Sequence, residues 1–289
     1  MRDALPLRLG LSGYNRQSHN DGHFDARLTP MQYVTWMKNR FSFLFLFAAV
    51  MTLGGCAGSG DGGTWGWYVI SPNTAQGMTN IKFLLGGLKD TIVLSIVSIA
   101  LAMVLGFLIA LPGIATNRTA QAINVTYVEL VRAIPLLVLI LWVYYGLPQV
   151  AGMSISIFLA SVLALGISDS AFQAEIFRAG IQSIQRGQIE AADALGLKYS
   201  QKMRLIILPQ AIKVILPPLG NQFVYMLKMS SLASVIGMQE LTRRANELVV
   251  TEYRPLEIYT FLILEYLVLI LIVSAGVRWL ERKMHTEER

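Results

Sequence analysis

Cysteine, histidine and charge are scarce in this chain of 289 residues. The one cysteine, Cys56, excludes an intrachain disulfide and any zinc cage built on cysteines. Of the three histidines, His19 and His23 stand four apart with no third ligand nearby, so no metal site is expected and residues 1–37 read as a polar tail or a start placed too far upstream. No G-x-x-x-x-G-K-S/T loop, nucleophile elbow or H-E-x-x-H occurs, which leaves the chain without a phosphate cradle, a hydrolase triad or a zinc protease site. An enzyme is not expected, and any energy the protein uses has to come from another polypeptide or an ion gradient. Charged residues make up 15% of the chain, against about 25% in ordinary globular proteins. With 54% hydrophobic residues, the composition is that of a membrane protein, and the net charge of +6 is read as Lys and Arg in cytoplasmic loops rather than as a nucleic-acid surface.

What is present is a series of apolar runs long enough to cross hydrocarbon. Lys38-Asn39-Arg40 and the apolar stretch to Leu53 have the form of a signal n-region and h-region, and Leu53-Gly54-Gly55-Cys56 looks like a lipobox. Residues 38–57 therefore read either as a first span or as a cleaved, lipidated signal. Residues 58–87 are Gly-rich and polar, with Trp65, Trp67 and Tyr68 as interfacial anchors on the far side. Thr91 to Leu111, ended by Pro112-Gly113, is one crossing. The next enters near Val131 and leaves near Gly146-Leu147-Pro148, with Glu129 and Arg132 spaced to pair ahead of it. Ile155 to about Gly180 crosses back, and there Glu175 and Arg178 are spaced to pair. Ala211 to Gly237 is expected to be interrupted, because Pro217-Pro218 removes two backbone donors. Gln239 to Glu257 lies outside although Arg243, Arg244 and Arg254 run against the positive-inside rule, and Ile258 to Val277 is the last span before a cytoplasmic tail, 284–289.

One polar stretch between spans carries strong helical signals. Glu190 to Leu195 are helix formers, Gly196 sits where a left-handed cap is wanted, Ser200 can cap a second short helix, and Pro209 stops that helix or turns it into the next span. A Gly-containing turn between two helices, with Arg204 beyond it, also looks like a DNA-binding helix-turn-helix, but the apolar spans on both sides argue against a DNA-binding domain.

The stretch has the pattern E-A-A-x(3)-G-x(9)-I-x-L-P at Glu190, Ala191, Ala192, Gly196, Ile206, Leu208 and Pro209. It resembles the cytoplasmic coupling loop of ABC importer permeases of the binding-protein-dependent kind. Glu129-Leu130-Val131-Arg132-Ala133-Ile134-Pro135-Leu136, Ala174 to Ile181, and Leu216-Pro217-Pro218-Leu219 with Asn221-Gln222-Phe223 resemble the polar amino acid uptake group, which includes glutamate, aspartate and glutamine systems. The resemblance covers about Ile81 to Lys283. It departs at Leu227-Lys228-Met229-Ser230-Ser231-Leu232, where the family commonly reads Leu-Lys-Asp-Thr-Ser-Leu.

The resemblance implies an all-α, polytopic membrane helix bundle of the type I ABC importer permease fold, a five-span core plus an extra N-terminal span, with a permease domain at 88–283 and a coupling loop at 186–209. It implies ATP on a separate cytoplasmic ATPase subunit and no cofactor in this chain. The implied partners are a second permease, identical or homologous, a periplasmic amino-acid-binding protein and membrane lipid, in the bacterial inner membrane. A path for an amino acid needs acceptors and donors within the spans. Asp169, Ser170 and Gln173 are the candidate acceptors, with Asn221, Gln222 and Lys228 as donors. The competing reading, a gradient-driven secondary transporter, calls for broken helices at matching places in both halves.

Overall fold

The computed structural model describes residues 66–115 and 117–285, and every described element is helical. The expectations for the N-terminal tail, the span or signal at 38–57, Cys56 and the start of 58–87 lie outside these residues.

A 3-10 turn, Trp67–Ile70, leads to α1, Ala75–Ile114, opened by the Thr74 hydroxyl accepting from the Gly77 N–H at 3.0 Å. The expected polar segment therefore gives way to helix well before Gly87, and Pro112 lies within the helix. At 40 residues, α1 is about 60 Å long, roughly twice the thickness of the hydrocarbon. Helix α2, Arg118–Ala133, is capped by Asn117. It stops where Pro135 forces Ile134 into extended backbone (φ −85°, ψ 121°). The chain resumes as α3, Leu136–Leu141, a π turn, Trp142–Gly146, and α4, Leu147–Ala151, at 91° to α2. The stretch expected as the second crossing, from near Val131 to Gly146-Leu147-Pro148, is thus bent at Pro135. Helix α5, Ile157–Gln182, is capped by Ser156.

Helix α6, Arg186–Ala194, and α7, Tyr199–Lys202, form the polar stretch, and a second π turn, Met203–Ile207, carries α7 into α8, Leu208–Met229. Both π turns precede a Leu-Pro pair. The N–H groups of Leu147 and Leu208 reach back five residues to the carbonyls of Trp142 and Met203, a register that makes room for the rings of Pro148 and Pro209, which cannot donate. Contrary to expectation, α8 runs unbroken through Pro217 and Pro218. The loss is confined to two donors in a helix held on either side by regular turns and by neighbouring helices. A 3-10 segment, Ser230–Ile236, ends this span; α9, Leu241–Glu252, and α10, Pro255–His285, follow.

Four of the described helices are long and apolar enough to cross a membrane, and five spans result if the bent pair of α2 with α3–α4 counts as one. The core lies between α1, α5 and α8, where Leu94, Val162, Leu165 and Met226 are buried together. Leu84, Leu227, Leu241 and Ile258 join α1, α8, α9 and α10. At that end two of the three arginines are paired: Arg243 with Glu247 at 2.8 Å, and Arg244 with Asp90 at 3.5 Å and the Phe83 carbonyl at 3.0 Å. Glu240 caps α9, accepting from the Arg243 N–H at 2.7 Å and the Tyr266 hydroxyl at 2.8 Å, and burial pushes its carboxyl above the usual range.

Small side chains let α1 and α5 lie close together. Ala102, Gly106, Ala110 and Gly113 form a buried stripe on α1, the small-residue packing that substitutes in lipid for a hydrophobic driving force. A Cβ on Gly106 would meet the Gln173 Cβ and lie 2.9 Å from both the Ser170 carbonyl and the Ala174 nitrogen. Gly106→Ala is expected to destabilise the protein by about 1–3 kcal/mol, the usual cost of overpacking. Unfolding of the detergent-solubilised protein checks this, and an unchanged midpoint would show that the two helices are not locked there.

Candidate functional site

The polar candidates divide once their helices are placed. Asp169 on α5 is 3% exposed and Gln173, one turn on, is fully buried. The Gln173 amide donates to Asp169 Oδ2 at 2.8 Å, and Gln222 on α8 donates to Oδ1. The carboxylate is therefore held by two neutral amides from two helices. Beside it is a small pocket lined by Leu136, Leu165, Ser168, Phe172, Tyr225, Met226 and Met229. Gln222, Tyr225, Met226 and Met229 follow the three- and four-residue spacing of one helix face.

That periodicity separates the other candidates. Asn221 and Lys228 fall on other faces of α8 and are exposed, so the structure does not bring them to Asp169. Ser170 is buried but turned toward α2, where its hydroxyl lies 2.7 Å from that of Tyr127. The expected Glu129–Arg132 pair is absent: Arg132 instead meets Glu175 across helices at 3.5 Å and lies 4.5 Å over the Phe172 ring. Helical spacing alone favoured Glu129, but the end of α2 points Arg132 at α5. The expected Glu175–Arg178 pair is present at 3.0 Å.

The loop has the expected form of helix, tight turn and second helix. Gly196 has φ +71°, with its N–H on the Asp193 carbonyl at 2.9 Å and that of Leu197 on Ala192 at 3.1 Å. This double bond pattern closes a helix on a left-handed residue. The cap of α7 differs from expectation. Ser200 lies inside the helix, and the Gln201 side chain accepts from the Lys198 N–H at 2.9 Å, because the turn after Gly196 brings Lys198 to the cap position. Lys202 pairs with Asp193 at 2.6 Å and braces the two arms. Glu190, Ala191 and Pro209 are exposed, Ile206 and Leu208 are half-buried, and Ala192 is turned inward and buried. The outer face instead carries Leu195, 77% exposed, and Tyr199, 69% exposed. Reading the motif residue by residue missed these two because they are not among its specified positions.

A bundle of apolar helices with a polar cluster inside it, and a braced helical loop running directly into one of the helices that form the cluster, is the arrangement of a membrane transport subunit. The chain belongs to the family of binding-protein-dependent transport system inner membrane components, whose profile matches residues 102–286. It is therefore a permease of an ATP-driven importer. It is 41% identical over 205 residues to the probable glutamine ABC transporter permease protein GlnM of Bacillus subtilis (strain 168), covering 71% of this chain and 94% of that one. It is 38% identical to the arginine transport system permease protein ArtQ of the same organism, covering 72% and 95%. Among solved structures it is similar to an amino acid ABC transporter crystallised with histidines, at 40% identity and a TM-score of 0.67, covering 71% of this chain and 96% of that one. Type I permease architecture follows from that likeness.

Removing one amide from the cluster leaves a buried carboxylate short of a donor. Gln222→Leu is expected to cost about 1–3 kcal/mol, as for a buried polar group left unsatisfied. The double variant Asp169→Leu/Gln222→Leu should cost less than the sum of its parts. A double-mutant cycle on the solubilised protein measures this, and strict additivity would show that the two side chains do not act together.

Proposed function

We propose that this chain carries polar amino acids across the bacterial inner membrane, powered by a separate cytoplasmic ATPase that docks on the loop 186–209. The supporting observation is the continuity of α8. One helix begins at Leu208, where the loop ends, and carries Gln222 to the Asp169 carboxylate, about 21 Å away at 1.5 Å per residue. A push on the loop is a push on a hydrogen bond in the polar cluster.

On this reading Glu190, Ala191, Leu195 and Tyr199 form the face that enters a groove on the ATPase. Ala192 and Ile206 to Pro209 tie that face to the bundle. ATP favours whichever packing of the helices its subunit binds more tightly, and the permease rocks between two states. A second permease completes the path, and a periplasmic binding protein delivers the cargo. Asp169, Gln173 and Gln222 line the path, and Ser170 steadies its wall. Asn221 and Lys228, exposed on α8, fit contact with the second permease or with lipid better than with cargo. The cargo class is supported by relatives named for glutamine and arginine. The secondary-transporter reading asks for paired breaks, and among the described residues one bent helix pair is found.

Glu190→Lys and Gly196→Pro are expected to leave the protein in the membrane while ATPase co-purification and uptake fall at least ten-fold. Proline cannot take the positive φ of Gly196. Unchanged co-purification in both would remove the loop from the drive. Asp169→Asn should keep assembly and alter uptake, most for cargo with an extra charge, and parent rates for every polar amino acid would take Asp169 off the path.

A further inference from the structure

An amino acid is a zwitterion, and a site for the whole class has to meet both of its charges. Asp169 provides for the ammonium, but its protein partners are two amides, and Lys228 faces elsewhere. A cationic group, the Arg132 guanidinium of α2, is stacked on Phe172, three residues from Asp169 on α5. We propose that Arg132 is the specificity residue that receives the substrate carboxylate. This rests on the reading of Asp169 as part of an amino acid path.

Three observations carry it. The first is placement: the Arg132 guanidinium lies 4.5 Å over the ring of Phe172, and Phe172 lines the pocket with Asp169. Leu136, four residues beyond Arg132 and across the bend at Pro135, lines the same pocket. Asp169 and Phe172 are three residues apart on α5, about 4.5 Å along its axis, which sets the guanidinium stacked on Phe172 within about one helical turn of the Asp169 level.

The second is charge. Arg132 and Arg178 share the single carboxylate of Glu175, which leaves a net positive charge beside the net negative charge of Asp169. Along α5 the groups run from the Asp169 anion to the Phe172 ring and the Arg132 cation stacked on it, complementary to an amino acid lying with its ammonium toward Asp169.

The third is free donor capacity. Glu175 is already held by Arg178 at 3.0 Å, and its contact with Arg132 is the longer one, at 3.5 Å. The Arg132 side chain is 42% exposed. A guanidinium has five N–H donors in a planar fork, and stacking on an aromatic face fixes that plane while leaving an edge open for bidentate contact with a carboxylate.

The test is equilibrium binding to the purified permease–ATPase complex in lipid nanodiscs, using radiolabelled L-glutamine and L-arginine with their α-carboxamides as competitors. The parent complex is expected to prefer the acid over its amide by about ten-fold or more, the scale of a charge-assisted pair. Arg132→Gln should abolish that preference by weakening the acid while leaving the amide unchanged, and Arg132→Lys, which keeps the charge without the fork, should keep part of it. Should Arg132→Gln not assemble, Arg132→Lys carries the same comparison. An equal loss for acid and amide would reduce Arg132 to a packing role through Glu175 and Phe172, and an unchanged preference would also overturn the proposal. A parent complex that binds neither amino acid overturns the Asp169 path itself. Binding that is lost in Asp169→Asn while Arg132→Gln keeps the acid preference overturns Arg132 alone.

Discussion

A carboxylate inside an apolar bundle is the constraint on which this structure turns. Asp169 is 3% exposed and, among the described residues, its hydrogen-bond partners are two neutral amides, and a charge in that position is costly unless donors are brought to it. One donor comes from its own helix at Gln173. The other has to come from α8, so α8 must pack against α5 at that level. Gly106 lets α1 close over the same place, because any side chain there would strike the backbone of Ser170 and Ala174. Three helices are thus positioned by one polar group and one missing Cβ.

The same arrangement links the bundle to its surface loop. Gly196 closes α6, the Asp193–Lys202 pair braces the turn, and the π turn at Met203–Ile207 passes the chain into α8 without a gap in the helical backbone. A kink at Pro209 or a true break at Pro217-Pro218 would have absorbed motion between loop and cluster. Reaching back five residues before Pro209 removes the first, and the regular turns around Pro217 and Pro218 remove the second. A stiff helix transmits displacement, while a hinge would dissipate it.

Much of the site was legible before any coordinates. The loop motif, the left-handed glycine, the Glu175–Arg178 pair and the shared face of Asp169 and Gln173 are all local, set by spacing along one helix or by the conformational freedom of one residue. The misjudged features share a different property. Arg132 was spaced to pair with Glu129 on its own helix, and only the packing of α2 against α5 gave it Glu175 instead. Lys228 was a chemically suitable donor, but the phase of α8 relative to α5 turned it away. Ala192 is a specified position of the motif and is buried, while Leu195 and Tyr199 fall at unspecified positions and form the exposed face.

The sequence by itself therefore determined the membrane class, the family and the form of the loop, because composition and short-range periodicity are properties of contiguous residues. Tertiary structure decided which polar side chains meet. It brought Gln222 to Asp169 across 53 residues of chain and Arg132 to Glu175 between helices, and it kept Asn221 and Lys228 apart from both. The physical reason is that a buried hydrogen bond depends on the rotation and depth of two packed helices relative to each other, and those are set by the close contacts of small residues such as Gly106 and by bends such as that at Pro135, not by the residues that make the bond.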